Sequence, residues 1–262
     1  MIYSILLLHK LFYECNSYRT DLRIYGGEDA DVRKFPFAVA LEISYKRSKN
    51  TKYERFCSAT ALSPRWTLTA SHCLNALPEI TRGLKSAKPV VRYYSPDKKP
   101  LRKDIRTLIH PNYYENHKDY RVNNDIGFIQ SDGIDISFYP RLSPVDYRTL
   151  YGQETTYLGY GLTYIRVGEE NNTLKTMVAM ITECDRTKVN GWPTICTVPK
   201  CGSVDLMRPG DSGGTVLHGS GVIAVHSAGI GWARVCKYNY AGIDVPVSPF
   251  IDWIASEIAK SS

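Results

Sequence analysis

Gly210-Asp211-Ser212-Gly213-Gly214 is the sharpest phrase in the chain. A serine set among glycines sits on a tight turn whose backbone can be approached closely. Such a turn suits a nucleophile, because its N–H groups can hold the oxyanion that forms after attack on a carbonyl. The glycines stand two before, one after and two after the serine, so this is not the Gly-x-Ser-x-Gly elbow. A serine hydroxyl also needs a base. His72, in Thr69-Ala70-Ser71-His72-Cys73, closes a β-prone run and offers one. Asp125, in Asn123-Asn124-Asp125-Ile126-Gly127-Phe128, stands directly before an apolar run. A carboxylate buried there is costly unless hydrogen-bonded, and a histidine supplies that bond. Read singly, the three have plain alternatives: a Gly-rich turn, a core histidine and an aspartate at a strand start.

The elements that must position these residues are mostly short and β-prone. Phe37–Ile43, Trp66–Ala70, Ile126–Ile129 and Val222–Val225 are apolar runs punctuated by Pro and Gly, the pattern of a barrel or sandwich rather than of βαβ units. One helix is expected at the end. Ser248 is placed to cap it, Pro249 to open it, and Phe250, Ile251, Trp253, Ile254 and Ile258 to form its apolar stripe. Asp132 to Asp146 holds two prolines and few strand signals, and is the natural connection between two halves.

Composition narrows the classes. In 262 residues, 43% are hydrophobic and 23% charged, which excludes disorder as the main state. The apolar stretch Ile5 to Leu8 is far short of the ~20 residues a membrane helix needs. Lys and Arg number 33 against 26 acids, a net charge of +7. The excess is spread out, apart from Lys46, Arg47, Lys49, Lys52 and Arg55, which read as a solvated loop between two strands or, alternatively, as a contact for phosphate or an anionic surface. Seven cysteines are too few for a disulfide scaffold, and their odd number leaves at least one thiol outside any internal bridge. The six histidines show no His-Glu-x-x-His spacing, and the segment Leu77 to Tyr94 holds Glu79 as its one acid, so no metal is expected. No cofactor is expected either. Asn171-Asn172-Thr173 is a glycosylation sequon at Asn171.

Taken together and in this order, the phrases resemble the trypsin-like, chymotrypsin-fold serine proteases, from Ile24 to about Ile258. The order His72, Asp125, Ser212 is that family's order. Ile24-Tyr25-Gly26-Gly27, His110-Pro111-Asn112-Tyr113, Gly159-Tyr160-Gly161 and a terminal helix bearing Trp253 match further landmarks. The resemblance implies an all-β fold of two six-stranded antiparallel barrels, with the active site in the cleft between them and a C-terminal helix. It implies a leader over 1–23 and a protease domain over 24–262, whose barrels divide near 132–147. Ser212 would attack a peptide carbonyl, His72 would carry the proton, and Asp125 would hold the imidazole. The N–H groups of Gly210 and Ser212 would form the oxyanion hole. Ser227 would hydrogen-bond near Asp125 and begin the strand that pairs with substrate. Disulfides Cys57–Cys73, Cys184–Cys196 and Cys201–Cys236 are implied, leaving Cys15 over.

The resemblance further implies a secreted zymogen. Cleavage after Arg23 would free the amino group of Ile24 to pair with Asp211. The partners would be protein or peptide substrates, an activating protease and protein inhibitors, with no nucleic acid or membrane, for a monomeric enzyme. A non-catalytic homologue that binds a partner through the same fold is the alternative. Several positions depart from the family. Ser71 stands where Ala is usual, and Ala228 where a Trp lines the groove. Leu206 falls at the base of the specificity pocket. With Met207 beside it, and with Gly229 and Gly242 leaving the pocket open, it argues for an apolar residue before the scissile bond. Asp205 or Asp244 would reverse that preference by supplying charge.

Overall fold

The alternation seen in the sequence becomes strands because each buries one face. Along Lys175–Thr182 every second residue is buried, from Lys175 through Met177 and Ala179 to Ile181. The computed structural model describes residues 27–94, 100–116, 121–161, 173–185, 193–200, 207, 210–230 and 241–260. In chain order its strands are β1 (Glu28–Asp29), β2 (Ala38–Arg47), β3 (Asn50–Ala61), β4 (Trp66–Thr69), β5 (Lys85–Tyr94), β6 (Pro100–Ile109), β7 (Tyr114–Asn116) and β8 (Arg121–Asn123). They continue as β9 (Gly127–Ser131), β10 (Glu154–Gly159), β11 (Lys175–Thr182), β12 (Ile195–Pro199), β13 (Thr215–His218), β14 (Gly221–Ile230) and β15 (Ala241–Pro246). The α-helices are α1 (Ser71–Asn75), α2 (Leu77–Ile80) and α3 (Ile251–Ala259).

Strands β2-β3-β4-β9-β6-β5 close into an antiparallel barrel. Strands β11-β10-β13-β14-β15-β12 form a second ring, closed by the β11–β12 pairing, with β1 added beside β11. This is the two-barrel all-β architecture expected from the sequence. A β2–β3 register shift at Leu41/Glu42 marks a bulge in the first barrel. Leu41, Leu68, Val91 and Phe128 fill that barrel, while Met177, Ile181, Ile195 and Ile223 fill a cluster in the second.

Helix α3 ends the chain of the second ring yet packs on the first. The Trp253 ring lies 5.2 Å from that of Phe128 and 4.6 Å from that of His110. Burial against these rings lowers the pKa of His110. The start of this helix differs from expectation. Ser248–Phe250 form a 3₁₀ turn carrying Pro249, and α3 begins at Ile251 behind Phe250, with no side-chain cap from Ser248. Proline suits the tighter turn as it suits a helix start, so the sequence signal marked the right place and the wrong kind of turn.

Polar groups are also built into the first barrel. Glu42 and Arg92 are 2% and 1% exposed, and Arg92 Nε donates to Glu42 Oε1 at 2.6 Å. Arg102 Nε donates to Glu42 Oε2 at 2.6 Å, and Arg92 Nη1 to the Tyr94 hydroxyl at 2.6 Å. The basic sequence cluster is a hairpin arm rather than a loop: β2 and β3 pair out to Arg47–Asn50 around a turn with Ser48 at φ 58°. Arg55 leaves that group. It is half-buried, and its Nη2 donates to the Gly161 carbonyl at 3.4 Å.

Candidate active site

The first barrel presents His72 and Asp125 from two neighbouring elements. His72 is the second residue of α1, which starts where β4 ends. Ser71 ties this helix down: fully buried, it donates its hydroxyl to the Ile126 carbonyl at 2.6 Å. The alanine usual in the family has no such bond to make. Asp125 stands just before β9, on a turn where the Ile126 N–H donates to the Asn124 carbonyl at 2.7 Å. That turn needs a left-handed residue, and Asn124 takes φ 53°, a conformation asparagine tolerates better than most residues. Its side-chain amide donates to the Asn112 carbonyl at 2.8 Å.

Asp125 is fully buried and accepts three hydrogen bonds. His72 N–H donates to Oδ1 at 2.7 Å, His72 Nδ1 lies 2.7 Å from Oδ2, and the Ser227 hydroxyl donates to Oδ2 at 2.6 Å. Burial by itself raises the pKa of this carboxyl. The charge of His72 and these hydrogen bonds outweigh it, holding Asp125 below the usual carboxylate range. An ionised acceptor on Nδ1 fixes the tautomer in which Nε2 is free to take a proton.

Ser212 comes from the other ring, on the turn between Gly210 and β13. Gly210 and Gly213 take φ 94° and φ 80°, which side chains resist. A Cβ on Gly213 would lie 2.1 Å from Thr69 Oγ1 and 2.2 Å from the Ser58 carbonyl, so the turn presses directly on the first barrel. Ser58 of β3 holds it there. Its N–H donates to the Ser212 carbonyl and its hydroxyl to the Gly210 carbonyl, each at 2.8 Å. The Tyr160 N–H donates to the same hydroxyl at 2.8 Å. Ser227 spans the remaining gap, since its carbonyl accepts from the Ser212 hydroxyl at 3.4 Å while its own hydroxyl serves Asp125.

Asp211, 4% exposed, points away from this face into a cradle made by Gly159 and Gly161. The Gly161 N–H donates to Asp211 Oδ1 at 2.6 Å, and Cβ atoms on Gly159 and Gly161 would come within 2.5 and 2.2 Å of the carboxylate. The half-buried Arg55 feels this charge. Its pKa is lowered by burial and by Arg92, against the opposing pull of Asp211 and Glu42. Met207 is buried with its methyl where a Cβ on Gly242 would be, 2.3 Å away, and Gly229 is exposed opposite Gly242. Arg23, Ile24, Asn171, Cys201, Cys236, Asp205 and Leu206 lie outside the described residues. Disulfides Cys57–Cys73 and Cys184–Cys196 are formed. Cys57, Cys73 and His72 crowd together as metal ligands do, but the two sulfurs are bonded to each other, which removes the thiolates a metal requires.

Sequence reasoning missed two groups. Ser58 carried no local signal at all. The other is a buried network behind the pocket wall, where His226 Nδ1 lies 2.9 Å from Asp244 Oδ1 and the Thr197 hydroxyl donates to Oδ2 at 2.9 Å. The Tyr157 hydroxyl also donates to Asp244 Oδ2. Asp244 is wholly buried and committed to these donors. The main chain of His226 brackets the serine turn, accepting from the Gly213 N–H at 2.7 Å and donating to the Gly214 carbonyl at 3.0 Å. The signal for this pair was a charge inside each of two otherwise apolar strands.

Comparison with known proteins bears on the fold and the family. Venom serine protease 34 of Apis mellifera is 26% identical over 261 residues, which cover 93% of this chain. The chain spans 60% of that relative's length. The solved structure of neuropsin, described as a serine protease expressed in the limbic system of mouse brain, superposes with a TM-score of 0.65 at 20% identity, over 88% of this chain and 98% of its own, and so shares the fold. The Trypsin family profile matches residues 24–254, nearly the whole length, and the chain therefore belongs to the trypsin family of serine proteases.

Proposed function

We propose that this chain is a secreted serine endopeptidase that hydrolyses peptide bonds through an acyl-enzyme. Ser212 is the nucleophile, His72 the general base and then the acid for the leaving amine, and Asp125 the group that fixes the imidazole and stabilises its charged form. The N–H groups of Gly210 and Ser212 hold the oxyanion. The observation that carries this reading is the fully buried Asp125, held ionised by its bonds to His72 and Ser227, with Ser227 in turn bonded to a serine on a glycine turn. A homologue kept only for binding usually lacks one of the three residues, and His72, Asp125 and Ser212 all stand in this chain.

Activation follows cleavage after Arg23, when the amino group of Ile24 pairs with Asp211. The glycine cradle around Asp211, one residue from Ser212, supports this, because moving the carboxylate drags the turn. Secretion is supported by the two disulfides, and no helix among the described residues is long and apolar enough to cross a membrane. The residue before the scissile bond is apolar, since the resemblance puts Leu206 and Met207 at the specificity pocket and the Asp244 carboxylate is spent on its three donors. Protein substrates, an activating protease and protein inhibitors are the partners.

The test is labelling by a fluorophosphonate, with peptide hydrolysis measured before and after cleavage at Arg23. Ser212→Ala abolishes both readouts, and Asp125→Asn lowers turnover by about 10⁴. Near-normal hydrolysis in activated Ser212→Ala protein overturns the mechanism. Full activity in uncleaved Arg23→Gln protein overturns the activation step alone. Cleavage restricted to Arg and Lys sites overturns the pocket assignment alone.

A further inference from the structure

The hairpin arm formed by the outer ends of β2 and β3, with the start of β5 beside it, carries six exposed cations: Lys46, Arg47, Lys49, Lys52, Lys85 and Lys88. Two exposed acids, Glu54 and Asp104, lie among or beside them, and Asp104 reaches Lys88 at 3.5 Å. Lys46 stands directly opposite Lys85 in the β2–β5 register. Like charges in directly opposed positions destabilise a sheet. Nothing in the fold needs them there, because the barrel is closed and filled further along the same strands. Glu42, the acid that enters this region from the core, is taken up by Arg92 and Arg102.

We propose that this arm is an accessory binding site for a linear sulfated polysaccharide, separate from the serine site. The chemistry of the arm selects among anionic partners. Five of its six cations are lysines, which act as mobile point charges suited to scattered sulfates. Protein interfaces are depleted in lysine and enriched in aromatics and arginine. Single-stranded nucleic acids need open aromatic faces for stacking. The arm's exposed ring, Tyr53, is capped by the Arg102 guanidinium 3.9 Å above its centroid. Stable attachment to a membrane needs an apolar signal beside the charge, and the tip reads Arg47-Ser48-Lys49-Asn50. What remains is an elongated, flexible polyanion that asks only for charge along an extended edge.

The experiment titrates the full chain with a size-defined heparin oligosaccharide by fluorescence anisotropy, across a range of salt concentrations. The test variant carries Lys46→Ser, Lys49→Ser, Lys85→Ser and Lys88→Ser. A charge-matched control carries Lys34→Ser, Arg65→Ser, Arg106→Ser and Arg141→Ser, all exposed and off the arm. A lysine facing an anionic surface contributes about fivefold in affinity, so the test variant binds several-hundred-fold more weakly. Its log–log salt dependence becomes shallower by about three. The control keeps most of the wild-type affinity. Thermal melts check that both variants fold, and if the test variant does not, Lys49→Ser alone replaces it with a loss of about fivefold. Absence of binding by the wild type, equal losses in test and control, or tighter binding of polyglutamate, an oligonucleotide or anionic vesicles than of heparin overturns the proposal. Binding is read without turnover, so this result is independent of the serine protease reading.

Discussion

Replacing Ser227 by alanine isolates one bond in the candidate site. The substitution removes a hydroxyl that donates to the buried Asp125 carboxylate at 2.6 Å and leaves the Ser227 carbonyl, which accepts from Ser212, in place. It creates almost no cavity, so packing changes little. A hydrogen bond to a charged group is worth about 1.5–3 kcal/mol, and one between neutral groups about 0.5–1.5 kcal/mol. Asp125 has a folded-state pKa below its unfolded value, so its contribution to stability is fully present above the unfolded value near 4 and is lost as pH falls through the folded one. Ser227→Ala moves the folded value back up. The variant is therefore destabilised by about 1.5–3 kcal/mol at pH 7, and the gap to wild type narrows as the pH is lowered and Asp125 becomes protonated in both proteins. Urea denaturation of wild type and variant in a series from pH 7 to pH 3 measures the gap directly. A difference below about 0.5 kcal/mol at pH 7 means that the hydroxyl is not bonded to an ionised carboxylate.

Three further predictions use the same reasoning. Gly161→Ala places a Cβ about 2.2 Å from the Asp211 carboxylate, which must move along with the adjoining serine; a displacement near 1 Å costs about 10²-fold in labelling rate, and an unchanged rate refutes the cradle. Removing the Cys57–Cys73 bridge, which spans 16 residues, lowers stability by about 3 kcal/mol, read as a fall in melting temperature, with β3 freed from α1 beside His72. Glu42→Gln strands Arg92 and Arg102 and costs about 3–5 kcal/mol, whereas joint Glu42→Leu, Arg92→Met and Arg102→Met is close to neutral; equal losses in the two would show that packing, not charge, is at stake.

The parts of this molecule that follow local rules were legible in the sequence. Two-residue alternation and Gly/Pro spacing pointed to strands in a barrel or sandwich, and the bridges Cys57–Cys73 and Cys184–Cys196 followed from the family pattern. The turn around Ser212 announced itself because glycines were needed at φ 94° and 80°. What stayed hidden depends on pairs distant in the chain. Glu42 and Arg92 each interrupt an apolar run, and only the β2–β5 register shows that one interruption answers the other. His226 and Asp244 repeat that situation across β14 and β15. Arg55 reads as one more lysine-like charge until burial separates it from its neighbours. A single sequence marks where a charge is out of place, but not which other misplaced charge completes it.

Ser58 has a bearing on safety as well as on shape. Its bonds to Ser212, Gly210 and Tyr160 cross from one barrel to the other, while its own carbonyl accepts from Thr69 of the same barrel at 2.9 Å. Parting of the two halves and collapse of the serine turn are thus a single event. On the protease function proposed above, a partly unfolded molecule, such as one in transit or under mild denaturant, carries no reactive serine that could digest its neighbours. Loss of fluorophosphonate labelling in urea should accordingly share its midpoint with barrel separation, and labelling that outlasts separation would show that the turn can stand without its scaffold.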